Sequence, residues 1–157
     1  MRNSIRNLFA AAAIAAVATP LIGGGLFVLL GNPEASPEAL AKKAVLTLKL
    51  AGCHEPEKAT IVGTAIGDSG GRRTSIPLKI VPLSTPGMYA VTQQWPSEGR
   101  WALQFVGRHD SRVTTTVVAA GPGGIDRQTA KSNMAEPSEA DVTALLTSDS
   151  AGRLAKK

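Results

Sequence analysis

The chain has 157 residues and a mass of 16.2 kDa, room for one domain of ordinary size. Its 17 Lys+Arg against 12 Asp+Glu give a net charge of +5, and only 18% of residues are charged and 4% aromatic, which argues against a coiled coil and against an aromatic nucleic-acid platform. A single cysteine excludes an internal disulfide and any multi-cysteine zinc or iron–sulfur site within one chain.

Residues 1–31 read as a signal peptide or membrane anchor. Arg2 and Arg6 form a basic flank, and residues 8–30 carry no charge. Basic flank followed by apolar core is the export pattern, and a stretch of that length also suffices to span a bilayer as a helix. Small residues at Val17-Ala18 and at Ala39-Leu40-Ala41 offer cleavage sites. Pro20 and Gly23-Gly24-Gly25 break the helix and favour cleavage; the apolar run from Leu26 to Leu30 favours an anchor, with the N-terminus held inside by Arg2 and Arg6. The expected location is the periplasm or the outer face of the cytoplasmic membrane. Leu50-Ala51-Gly52-Cys53 matches a lipoprotein box, but the apolar core ends twenty residues earlier and Lys49 interrupts the approach.

Residues 32–43 read as a Pro/Glu/Ser linker, and 44–120 as a run of strands. Leu46, Leu48 and Leu50 alternate with Thr47 and Lys49, the period-2 signature of a strand with one wet face. Residues 58–66 are β-branched, and Asp68-Ser69-Gly70-Gly71 is turn chemistry. Residues 74–83 place Ile76, Leu78 and Ile80 inward. Pro77 and Pro82 mark this strand as an edge, since proline has no N–H for a ladder. Residues 88–95 and 100–106 follow, with Tyr89 and Val91, then Trp101, Leu103 and Phe105, in phase. Read as a hairpin, they leave Trp101 buried and Trp95 partly exposed at the turn. Residues 112–119, rich in Thr and Val, supply Val117 to the core, which Ile61 also joins.

Six strands at short spacing with no helix between them predict an all-β fold. The expected architecture is an immunoglobulin-like antiparallel β-sandwich of about six to seven strands, between the apolar N-terminal helix and a short C-terminal helix. Beyond Gly121-Pro122-Gly123-Gly124 the chain reads as loop to residue 136. A short helix follows, with Ser138 as cap, Asp141 three residues on, and Val142, Leu145 and Leu146 on one face, before a mobile tail.

Gly87-Met88-Tyr89 followed by Pro96-Ser97-Glu98-Gly99-Arg100-Trp101-Ala102-Leu103 resembles the hairpin of exported immunoglobulin-like sandwiches of the YtkA, FixH and CopC type. The resemblance implies an envelope-facing non-enzyme, sometimes linked to copper handling or respiratory oxidase assembly. Copper sites draw on His, Met and Cys, and the chain offers Cys53, His54, Met88, His109 and Met134. The candidate metal set is Cys53, His54 and His109, with copper as the possible ligand. Catalysis is not expected. Cys53 and His54 are adjacent in sequence, whereas a catalytic dyad must converge in space, and the 121–124 glycines lack the Lys and Ser/Thr of a phosphate loop.

The expected role is therefore binding of a protein partner in the cell envelope, through a sheet edge or the C-terminal helix, with an apolar patch near Trp95 or Val142. The alternative is a copper-binding accessory protein. Nucleic acid is not an expected partner. The membrane is one only through the N-terminal segment if it stays uncleaved.

Overall fold

The alternation of residues 45–50 becomes a strand, Leu46–Ala51, whose inward leucines are all but inaccessible to water. A computed structural model describes residues 25–69 and 71–148. Among them nine strands form two antiparallel sheets: β1 (Phe27–Gly31), β2 (Leu46–Ala51), β3 (Thr60–Ser69), β4 (Arg72–Leu78), β5 (Ile80–Pro82), β6 (Met88–Val91), β7 (Trp101–His109), β8 (Arg112–Gly121) and β9 (Gly124–Asn133). One sheet has the order β1-β2-β6-β5, the other β4-β3-β7-β8-β9. Their inner faces meet in one core built chiefly from Leu26, Val28, Leu46, Leu48, Leu50, Trp101, Leu103 and Phe105.

Three strands depart from the sequence reading. Residues 27–31, read as the end of an apolar helix, are β1, paired with β2 from Phe27↔Ala51 to Gly31↔Thr47. Both faces of β1 are apolar, so it shows no period-2 pattern. The rest of the proposed signal or anchor helix, residues 1–24, lies outside the described residues. Among the described residues no helix is long and apolar enough to cross a membrane.

The second departure is the 74–83 strand, which breaks at Lys79 and changes sheet. β4 and β5 are edges of different sheets, as Pro77 and Pro82 require. Gln94 serves the backbone at the break: its Oε1 accepts from the Lys79 N–H at 2.8 Å, and its Nε2 donates to the Lys79 carbonyl at 3.2 Å. The third departure is β9, which sequence reading left as loop. It is a polar edge strand, paired with β8 around the Gly121-Pro122-Gly123-Gly124 turn, with Gly124 at φ +99°. Where the ladder bulges between Val117 and Ala119, Thr129 Oγ1 accepts from the Ala119 N–H at 2.9 Å and donates to the Asp126 carbonyl at 2.6 Å.

The expected 88–106 hairpin is a crossover. β6 pairs only with β2 and β5, and β7 with β3 and β8. Trp95 lies on the chain that crosses between the sheets, so it is buried in the core at 6% exposure rather than left at a turn. Trp101 is buried as expected, its indole N–H donating to the Glu98 carbonyl at 3.0 Å. Gly67 leaves the space for that ring: a Cβ there would lie 2.5 Å from Trp101 Cε3. Gly67→Ala is expected to cost about 1–3 kcal/mol through overpacking, seen as a lower urea midpoint at unchanged slope.

The outer faces are partly covered. Val117, paired with Gln104, points outward rather than into the central core, and α2 (Glu139–Thr147) closes over it with Val142 and Leu145. A nine-residue helix is marginal alone, so this contact holds it. The expected Ser138 cap is not made by its side chain. Polar ties fix α2 instead: Arg73 pairs with Glu139, Asn133 Nδ2 donates to Asp141 Oδ2 at 3.1 Å, and Arg100 Nη1 donates to the Leu146 carbonyl at 3.5 Å. The region read as linker holds a 3-10 turn (Pro33–Ala35) and α1 (Pro37–Ala41), capped by Asn32 and Ser36. Within α1, Ala39 packs fully buried with Ala44 on Ala90 of β6.

Glu38 ties α1 to the turn before β6, its Oε2 accepting from the Ser84 N–H at 2.9 Å and the Ser84 hydroxyl at 2.8 Å. These bonds, the backbone one foremost, hold the Glu38 carboxyl below its ordinary 4.5. A depressed folded-state value means that the tie contributes fully above about pH 4.5 and is lost as pH falls through that lowered value. The Ser84 amide resonance is expected to titrate with a midpoint below 4.5, and Glu38→Gln to abolish that titration.

Candidate functional site

The 52–59 loop joins β2 to β3 at the end of the sandwich where β7 finishes, because Thr60 pairs with Arg108. Gly52, at φ +82°, lets the loop lie against the Gly25 carbonyl, where a Cβ would collide at 1.6 Å. Cys53 is half-buried and packs on the core; His54 is exposed. Burial raises the Tyr89 phenol pKa, and neighbouring Cys53 adds to the rise. His109 ends β7 with its side chain 12% exposed, its Nδ1 lying 3.3 Å from Asp110 Oδ2.

His109 thus shares an end of the molecule with Cys53 and His54, but the three do not converge. Among the described residues, no group of three or more His, Cys, Asp or Glu side chains is placed to hold a metal ion. Neighbours in sequence have parted, Cys53 against the core and His54 into solvent. Arg108, next to His109, is held in a two-pronged pair with Glu136 at 2.5 and 2.6 Å. That pairing raises the Arg108 pKa and lowers that of Glu136.

Trp95 and Val142, near one of which an exposed apolar patch was expected, are both buried, Val142 at 1% exposure. An open apolar surface lies instead on the outward face of the β1–β2 pair. Strand alternation turns Leu26 and Val28 into the core and Phe27 and Leu29 outward, 39% and 50% exposed. Leu29 stands opposite Lys49, and Lys49 opposite Met88 on β6. A groove of about 210 Å³ runs here, lined by Leu29, Leu30, Gly31, Asn32, Ala35, Ser36, Thr47, Lys49 and Met88. Among the described residues that line it, Lys49 alone is charged. Asn32 and Ser36 are already engaged as caps, accepting from the Glu34 and Ala39 N–H groups at 3.1 and 3.2 Å.

The edge of β1 is partly occupied. Thr116 Oγ1, reaching across from β8, donates to the Val28 carbonyl at 3.0 Å within the core. That bond takes up one of the few backbone groups along this edge. The outward face of β1–β2 is therefore more open than its edge ladder.

Sequence reading missed Phe27 and Leu29 because they sit inside an uncharged run. The signal available was the glycine triplet ending at Gly25, which separates that run from five strand-forming residues. Set against known protein families, curated proteins and solved structures, the chain matches none.

Proposed function

We propose that the protein is an exported, non-catalytic β-sandwich of immunoglobulin-like strand order that binds a protein partner in the cell envelope. The strand order supports the finer fold reading: β1-β2-β6-β5 facing β4-β3-β7-β8 follows the A-B-E-D and C′-C-F-G arrangement of such domains, with β9 as an added edge. The basic flank and uncharged run of residues 1–24 support export.

The observation that carries the binding reading is the outward apolar face of β1–β2. Two large side chains, Phe27 and Leu29, stand exposed beside a groove that contains a single charge. Exposed apolar groups gathered beside a concave surface mark an interaction site more often than scattered ones do. The chemistry fits a partner with an apolar surface and a carboxylate opposite Lys49.

A photo-crosslinking residue at position 27, 39% exposed, is expected to capture a partner in the exported fraction, whereas one at position 62, 60% exposed on the other sheet, is not. Leu29→Asp is expected to weaken that capture at least ~10-fold, as loss of about 1.4 kcal/mol of apolar contact would, while leaving the melting temperature unchanged. Equal capture at positions 27 and 62, or capture at position 27 unaffected by Leu29→Asp, would remove this surface from consideration.

A further inference from the structure

Strand β1 shortens the segment available to a membrane. Leu26 and Val28 are each 1% exposed in the inter-sheet core, and the Val28 carbonyl is held by Thr116. A Cβ added at Gly107 would touch Val28 Cγ2 at 3.0 Å, so β7 lies tightly against this strand. These residues cannot also lie in a bilayer, and their removal would open the core. The uncharged run preceding these core residues is then residues 8–25 rather than 8–30.

Eighteen residues wound entirely as helix would rise roughly 27 Å, at the lower limit for a ~30 Å hydrocarbon layer, and the helix would have to continue through Pro20 and the glycine triplet. The twelve residues before Pro20 would rise only roughly 18 Å. The eight residues before Ala16 suit the apolar core of a cleavable signal, and Ala16-Val17-Ala18 follows them as a small-x-small box.

We infer that an export peptidase hydrolyses the Ala18–Thr19 bond. Water adds across the amide, leaving a carboxylate on Ala18 and an ammonium group on Thr19. The mature chain then begins seven residues before the first core side chain, Leu26. This inference rests on the export reading above. The second small-residue box, Ala39-Leu40-Ala41, is not a processing site. It lies within α1, where Ala39 is fully buried on Ala90, and a cut after Ala41 would take β1 and α1 away together.

The test is the intact mass of the full chain after expression in export-competent bacterial cells, measured in separated cytosolic, membrane and exported fractions. The expected product in the exported fraction begins at Thr19. Ala18→Leu is expected to leave the chain uncut and membrane-associated, and Ala41→Leu, at an exposed position, to leave the Thr19 terminus unchanged. An exported chain beginning at Lys42 or at any other residue, or a whole wild-type chain in the membrane fraction, overturns the inference while export itself stands. A whole chain confined to the cytosol overturns the export reading along with it.

Discussion

Trp101→Ala is expected to destabilise the domain by about 3–5 kcal/mol. Trp101 is the largest of the fully buried side chains, and it sits where three features converge. Its ring fills the space left by Gly67, its N–H reaches the Glu98 carbonyl, and its strand carries Leu103 and Phe105 into the same core. Removing the indole would leave a cavity that the stiff neighbouring strands cannot close, so the loss adds a cavity cost to the lost transfer energy. Domains are stable by only about 5–15 kcal/mol, so this single change removes a large fraction of the total. The melting temperature is expected to fall by roughly 6–20 °C. Trp95, the other tryptophan, is buried in the same core and reports unfolding by fluorescence. A shift below ~1 kcal/mol would show that Trp101 does not organise the core.

Sequence reading located strands whose two faces differ in character. β2 and β7 carry apolar residues at alternate positions and have a polar or covered opposite face, so their period was visible. β1 was hidden for the opposite reason: Leu26 and Val28 face the core, but Phe27 and Leu29 are apolar too, and they run on from an uncharged segment. β9 was hidden because it is almost wholly solvated. Its pairing comes from backbone bonds to β8 and from the hydroxyls of Thr129 and Ser132, with Asp126, Arg127 and Lys131 along it, a charged edge that discourages further strand addition. Hydrophobic periodicity carries no trace of such a strand. The Pro122-Gly123 turn was the available sign.

Pairing partners were less legible than strands. Residues 88–106 have the spacing of a hairpin, yet the chain passes from one sheet to the other between β6 and β7. What decides between the two is which faces are buried, a property of the whole sandwich rather than of the segment. The same holds for the surface. Cys53, His54 and His109 were selected by residue type, and the structure brings the loop and the end of β7 to one end without bringing the three side chains together. The outward apolar face of β1–β2 went unread, because its two exposed apolar residues were credited to a membrane segment. The apolar face of α2 was legible, and it docks on the sandwich: Val142 and Leu145 bury themselves on Ala102 and Val117 of this chain.

The role of β1 is tested most directly by two neighbouring substitutions with opposite outcomes. Val28→Asp would put a carboxylate at a position 1% exposed, facing Leu50 and the close approach of Gly107. Among the described residues no lysine or arginine is buried to pair with it. The group would have to be desolvated or the strand would have to detach, and either route is expected to cost more than about 4 kcal/mol. Leu29→Asp changes the adjacent residue on the opposite face, 50% exposed and directly across the ladder from Lys49. There the loss of a half-exposed side chain is offset by a cross-strand pair of opposite charge, itself worth roughly 0.2–1 kcal/mol, and the net change is expected to stay within about 0.5 kcal/mol. Urea unfolding of the two variants measures the contrast, with circular dichroism as the check that Val28→Asp has lost its sheet. A one-residue slip in register would exchange the two results, since it turns every side chain of a strand to the other face. Tolerance of both would mean that β1 is dispensable to the core, and the shortened membrane segment inferred from it would no longer follow.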